Sequence, residues 1–67
     1  MTVLDIINKI ENGSVHILIY DNDTGAVELK TIWHNTIPQK YWNCEVKNII
    51  VKDYELRLGV EMLWNTI

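Results

Sequence analysis

Apolar residues recur along this chain at two spacings, and the change from one to the other marks its elements. Near the start they fall at Val3, Ile6, Ile7 and Ile10, the i, i+3, i+4, i+7 rhythm of an amphipathic helix. Thr2 is a good N-cap, and Asp5 follows three residues later as in a capping box. Asn12-Gly13 is a natural stop, because Gly accepts the left-handed conformation after a last turn. The spacing predicts a helix over 2–12 with its stripe laid on a sheet.

From Val15 the rhythm shortens to two. Val15, Ile17 and Ile19 point one way and His16, Leu18 and Tyr20 the other. Both faces are largely apolar, so 15–21 reads as a central strand. DNDTG, 21–25, is a turn with Gly25 available for positive φ. Residues 26–33 alternate again, Val27, Leu29, Thr31 and Trp33 against Glu28, Lys30 and Ile32, and complete a hairpin. Pro38 suits the first position of a helical turn, so a single turn over Pro38–Trp42 is expected as the connector. A third strand covers 44–53. The fourth, 54–64, sets Tyr54, Leu56, Leu58, Val60, Met62 and Trp64 against Glu55, Arg57, Gly59, Glu61 and Leu63. Lys52-Asp53-Tyr54 lies where this second hairpin must turn.

These elements predict an α+β fold in one domain, 1–67: an N-terminal helix on a four-stranded antiparallel sheet made of two hairpins (α-β-β-β-β). The strict face of the last strand, with Ile17, Ile19 and Val27, receives the helix. The other face carries Leu18, Tyr20, Ile32, Leu63 and part of Ile49–Val51, a large apolar area for a monomer to leave in water. That face is the expected oligomer interface, most simply of a dimer.

Composition sharpens this picture. A chain of 67 residues buries a modest fraction of its surface, and small scaffolds usually need a staple. The single Cys44 cannot form an internal disulfide, which fits a reducing cytoplasm better than secretion. MTVLDIINKIENG lacks the basic n-region of a signal peptide, and no apolar run approaches the roughly 18 residues of a membrane span. A cytoplasmic protein without membrane contact is expected. The formal charge is −3, and Lys and Arg stand singly at 9, 30, 40, 47, 52 and 57. No basic stripe forms, which argues against direct binding of duplex DNA.

Candidate chemistry is sparse. DNDTG resembles the opening of a calcium loop, but the Gly and Glu that an EF-hand needs at its sixth and twelfth positions are Ala26 and Ile32 here. Turn chemistry explains it better. His16, His34 and Cys44 are widely spaced and one ligand short of a zinc site. Cys44 with His34 lacks an orienting third group for nucleophilic catalysis. Asp21 and Asp23 have no evident pocket for acid–base work. The glycines stand singly at 13, 25 and 59, so no phosphate loop exists. Neither enzymatic activity nor a metal or cofactor is expected. Trp33, His34, Tyr41 and Trp42 with Lys40 and Arg57 are the candidate binding residues, since Trp and Tyr combine an apolar body with a polar edge. Trp33 and Trp64 also fall on core-facing registers.

Three tags recur in a recognisable layout: TVLDIINKI at 2–10, IYDNDTG at 19–25, and IP-x-x-Y at 37–41 before the Cys44-Glu45-Val46 strand. The layout resembles small accessory proteins encoded by phages and prophages of low-GC Gram-positive bacteria. The resemblance implies a role against host defences, as in anti-CRISPR proteins or sponges for nucleotide immune signals; it carries over no site residue. The expected function is a non-enzymatic binding protein that self-assembles and blocks a host defence effector by protein–protein contact. The alternatives are an oligomer that sequesters a small nucleotide, with Trp33, Tyr41 or Trp42 stacking on the base and Lys40 or Arg57 meeting phosphate, and a structural accessory protein.

Overall fold

The computed structural model describes residues 1–10, 15–32 and 36–62. Within them the order is α1 (Val3–Ile7), β1 (His16–Asp21), β2 (Val27–Thr31), a 3-10 turn (Gln39–Tyr41), β3 (Glu45–Lys52) and β4 (Glu55–Glu61). The strands form one sheet in the order β2-β1-β4-β3. Among the described residues no helix is long and apolar enough to cross a membrane.

The capping box is present. Thr2 Oγ1 accepts from the Asp5 amide, and the Asp5 carboxylate accepts from the Thr2 amide at 2.9 Å. The helix is shorter than its stripe predicts. After Asn8 the chain tightens, with Lys9 N–H donating to Ile6 and Ile10 N–H to Ile7, the i→i+3 bonds of a 3-10 turn. The stripe survives: Val3 and Ile6 are buried, and Ile7 and Ile10 pack against the same core. The expected stop at Asn12-Gly13 lies outside the described residues. So short a helix is not stable alone. Tertiary bonds hold it, Val3 N–H to Cys44 and Leu4 N–H to Trp42, and Val46 N–H donates back to Met1.

Both expected hairpins form, β1 with β2 and β3 with β4, each antiparallel. The sheet as a whole is not antiparallel, because β1 and β4 pair in parallel, His16 with Glu55 through Asp21 with Val60. The cause is burial. β1 and β4 hold most of the buried strand residues, and burying both puts them side by side at the centre. The hairpins can then join in parallel only if the connection between β2 and β3 crosses back over the sheet, and about a dozen residues is long enough for that. That crossing brings Ile37, Tyr41 and Cys44 into the core with Ile17, Ile19, Leu58, Val60 and Met62. The turn over Pro38–Trp42 is therefore a piece of the helix-side layer.

Two residues leave the face that alternation assigns them. Ile19 pairs with Leu29 but Tyr20 pairs with Val27, so Glu28 is an extra residue in β2. A one-residue bulge flips everything beyond it, and Val27 stands on the face away from the helix. Tyr54 is not in β4. Asp53 and Tyr54 form the two-residue turn, both with positive φ, 54° and 61°, as a type I′ hairpin requires. Ile32 is exposed just beyond β2. Leu63 and Trp64 lie outside the described residues.

Two outcomes follow from these local geometries. The Thr2 amide and hydroxyl hold the Asp5 carboxyl below the ordinary aspartate value of 3.8. A depressed folded pKa stabilises the fold above the unfolded value and loses that contribution as pH falls through the folded one. Asp5→Ala should therefore be less stable than the wild type at neutral pH, and urea titrations should show the gap closing below pH 3.8. Tyr54 is 99% exposed and forfeits no contact when removed, while a side chain at left-handed φ costs about 1–2 kcal/mol. Tyr54→Gly should raise stability by about 1 kcal/mol, or about 4–8 °C in melting temperature for a domain of this size.

Candidate functional site

With the helix layer on one side, the opposite side of the sheet is uncovered among the described residues. Strand pairing arranges it in rows. Lys30, Leu18, Arg57 and Ile50 stand abreast from β2 to β3, and Val27, Tyr20, Gly59 and Asn48 form the next row. Leu18, Tyr20, Val27, Ile50 and Arg57, with Gly25 at the margin, line a shallow open depression of about 500 Å³.

Each row has a physical reason for its shape. Gly59 makes room for Tyr20. A Cβ at Gly59 would lie 2.6 Å from the Tyr20 hydroxyl oxygen, so the ring lies across the glycine and covers its backbone. Asn48 Nδ2 donates to Asn22 Oδ1 beside it. In the other row Arg57 is held in place. Its Nε donates to Glu55 Oε1 at 2.9 Å, one Nη is 4.0 Å from Asp53 Oδ2, and Lys30 Nζ stands 3.7 Å from Glu55 Oε2. Glu55 is 7% exposed. Burying a carboxylate costs less when cations stand beside it, and here Lys30 and Arg57 flank it. Arg57 is thus a pre-oriented donor between Leu18 and Ile50.

The expected site residues separate into two groups. Leu18, Tyr20 and Arg57 come together on the open face. Lys40, Tyr41 and Trp42 lie with the helix layer. Tyr41 is buried, with its hydroxyl reaching the Glu28 carbonyl, and Lys40 Nζ sits 5.2 Å from its ring centre. Trp42 is half-buried against the core and donates its Nε1 to the Ile37 carbonyl at 3.0 Å. Trp33 and His34 are outside the described residues. Val27, Lys30, Ile50, Glu55 and Gly59 complete the open face. Alternation in β4 already aligned Glu55, Arg57 and Gly59. The bulge that brings Val27 beside Tyr20, and the burial of Glu55, left no such signal.

Among the described residues no three of His, Cys, Asp and Glu converge as metal ligands would. Asp21 Oδ1 accepts from the Asp23 amide at 2.8 Å, and Gly25 turns the chain at φ 79°, so DNDTG is built as a turn. Cys44 is fully buried. His16 is exposed at the mouth of a second depression of about 510 Å³, shared with Val15, Val51, Tyr54, Glu55 and Leu56 near the β3–β4 turn. No protein-family model, curated protein or solved structure matches the chain.

The Tyr20–Gly59 contact is testable. In Gly59→Ala the ring and the Asn22 side chain must both give way, a crowding cost of about 1–3 kcal/mol. Chemical denaturation should show that loss, and the Tyr20 ring protons should lose the shifts caused by lying on the sheet. An unchanged stability with unchanged ring shifts contradicts the packing described.

Proposed function

We propose that this chain is a non-enzymatic binding protein that docks a protein partner on the open face of its sheet. The observation that supports this reading is the pairing of an uncovered apolar set, Leu18, Val27 and Ile50, with an arginine fixed by a buried carboxylate. Interface centres favour that combination, because Arg and Tyr bind strongly when their position is set in advance. The charges nearby, Lys30, Asp53, Glu55 and Arg57, are already paired with one another, so a partner would displace water from apolar surface without stranding a charge. The partner class that the sequence resemblance implies is a bacterial defence effector, blocked by direct contact.

The test combines pull-down and inhibition assays against candidate effectors. Val27 is 60% exposed, so Val27→Asp should change stability by no more than about 0.5 kcal/mol while weakening effector binding at least about tenfold, equivalent to about 1.4 kcal/mol. Leu18→Glu should weaken it further. Full binding and inhibition by both folded variants sinks the open-face reading.

A further inference from the structure

The sheet has a second unsatisfied surface, the outer edge of β3. Among the described residues only its beginning is covered. Thr2 bridges to Glu45, and the Val46 amide donates to the Met1 carbonyl at 2.8 Å. Beyond Val46 no strand lies beside it among the described residues. The direction of its backbone groups follows from register. Lys52 and Glu55 close a two-residue turn, so they form a hydrogen-bonded pair. Antiparallel ladders alternate, hence Lys52, Ile50 and Asn48 bond inward to β4. Ile49 and Val51 aim N–H and C=O outward. Seven large apolar side chains are well exposed among the described residues, and five of them gather here: Met1, Ile49, Ile50, Val51 and Tyr54. Val51 alone is 76% exposed. An apolar edge with free backbone groups is a template for another strand.

We infer that the occupant is a second copy of this chain, its β3 antiparallel to the first across a two-fold axis perpendicular to the sheet. Two four-stranded sheets become one continuous sheet, with both helices on the same side. The residues select the register. Opposite residues must share a face, so the axis falls on a residue and not between two. Centred on Ile50, the pairing sets Ile49 against Val51 of the other copy, twice, and satisfies the outward N–H and C=O groups of both. Ile50 meets its own copy on the open face. Lys52 faces Asn48, so no like charges meet, and the Asp53 turn arrives beside Lys47. Centred on Ile49, Lys52 would instead run into Val46, which Met1 already occupies, and Asp53 would face Glu45.

The contact is short. Five paired residues span about 17 Å and bury well under the roughly 800 Å² per partner of a standard interface. The dimer is therefore weak and reversible. Because Ile50 also lines the open-face depression, dimerisation joins the two depressions into one surface.

Sedimentation velocity of the full chain from about 5 µM to about 500 µM should show the mass doubling from 7.9 kDa. Val51→Pro removes an N–H that β4 does not use, and edge strands accept proline there. It should keep the wild-type circular dichroism and remain a monomer throughout. Val27→Asp, on the opposite edge, should dimerise like the wild type, so failure of the edge contact and failure of the partner site read out separately. As a measurement independent of any variant, the amides of Ile49 and Val51 should gain exchange protection with concentration while those of β2 do not. A wild-type monomer at the highest concentration overturns the inference. So does a folded Val51→Pro that dimerises as well as the wild type, dimer loss in Val27→Asp, or amide protection that ignores concentration.

Discussion

The parallel pairing of β1 with β4 is the constraint on which the rest of this small structure depends. It sets Ile17 beside Leu56 and Ile19 beside Leu58, joining strands from opposite halves of the chain. Neither hairpin buries enough apolar surface alone, since a two-stranded unit is marginal in water. Bringing them together makes a core whose largest fully buried side chains include Ile17, Ile19, Leu58 and Val60. Closing so long a loop costs entropy before it returns any contact, so this pairing also governs how readily the chain folds.

The helix layer follows from that centre. A helix of five residues covers only part of a four-stranded sheet, and the crossing segment supplies what is missing. Ile37, Tyr41 and Cys44 are buried, while Trp42 packs alongside and is tied to the Ile37 carbonyl. The aromatic-rich stretch thus serves mainly as a corner of the core. The same segment anchors α1 through the Val3 and Leu4 amides, so helix and connector support each other where each alone would fray.

On the far side nothing equivalent exists among the described residues, and the face is settled by its own side chains. Tyr20 shields Gly59, while Lys30 and Arg57 hold Glu55. No buried side-chain polar atom lacks a partner among the described residues. Most of the well-exposed large apolar side chains among the described residues lie in two places, the open face and the edge of β3. Ile50 belongs to both, so in the two proposals above partner docking and self-association would share one side chain.

Local rules read much of this from the residues alone. The capping box at Thr2 and Asp5, the helical stripe, the two hairpins, the DNDTG turn, the turn at Lys52–Tyr54 and the short helical turn after Pro38 all depend on neighbours a few positions apart. Strand alternation also placed Leu18, Tyr20 and Arg57 on a shared face. What escaped depends on distant partners. The parallel centre is a choice between ways of joining two hairpins, made by the burial available when both are present. The flip of Val27 needs a bulge that only pairing with Tyr20 reveals. Glu55 reads as a surface residue until Lys30 of β2, reaching across β1, joins its strand neighbour Arg57 beside it. Sequence sets each element and its faces because sterics and spacing act within a few residues; tertiary structure decides strand order, register and charge partners because those energies exist only between segments that folding brings together.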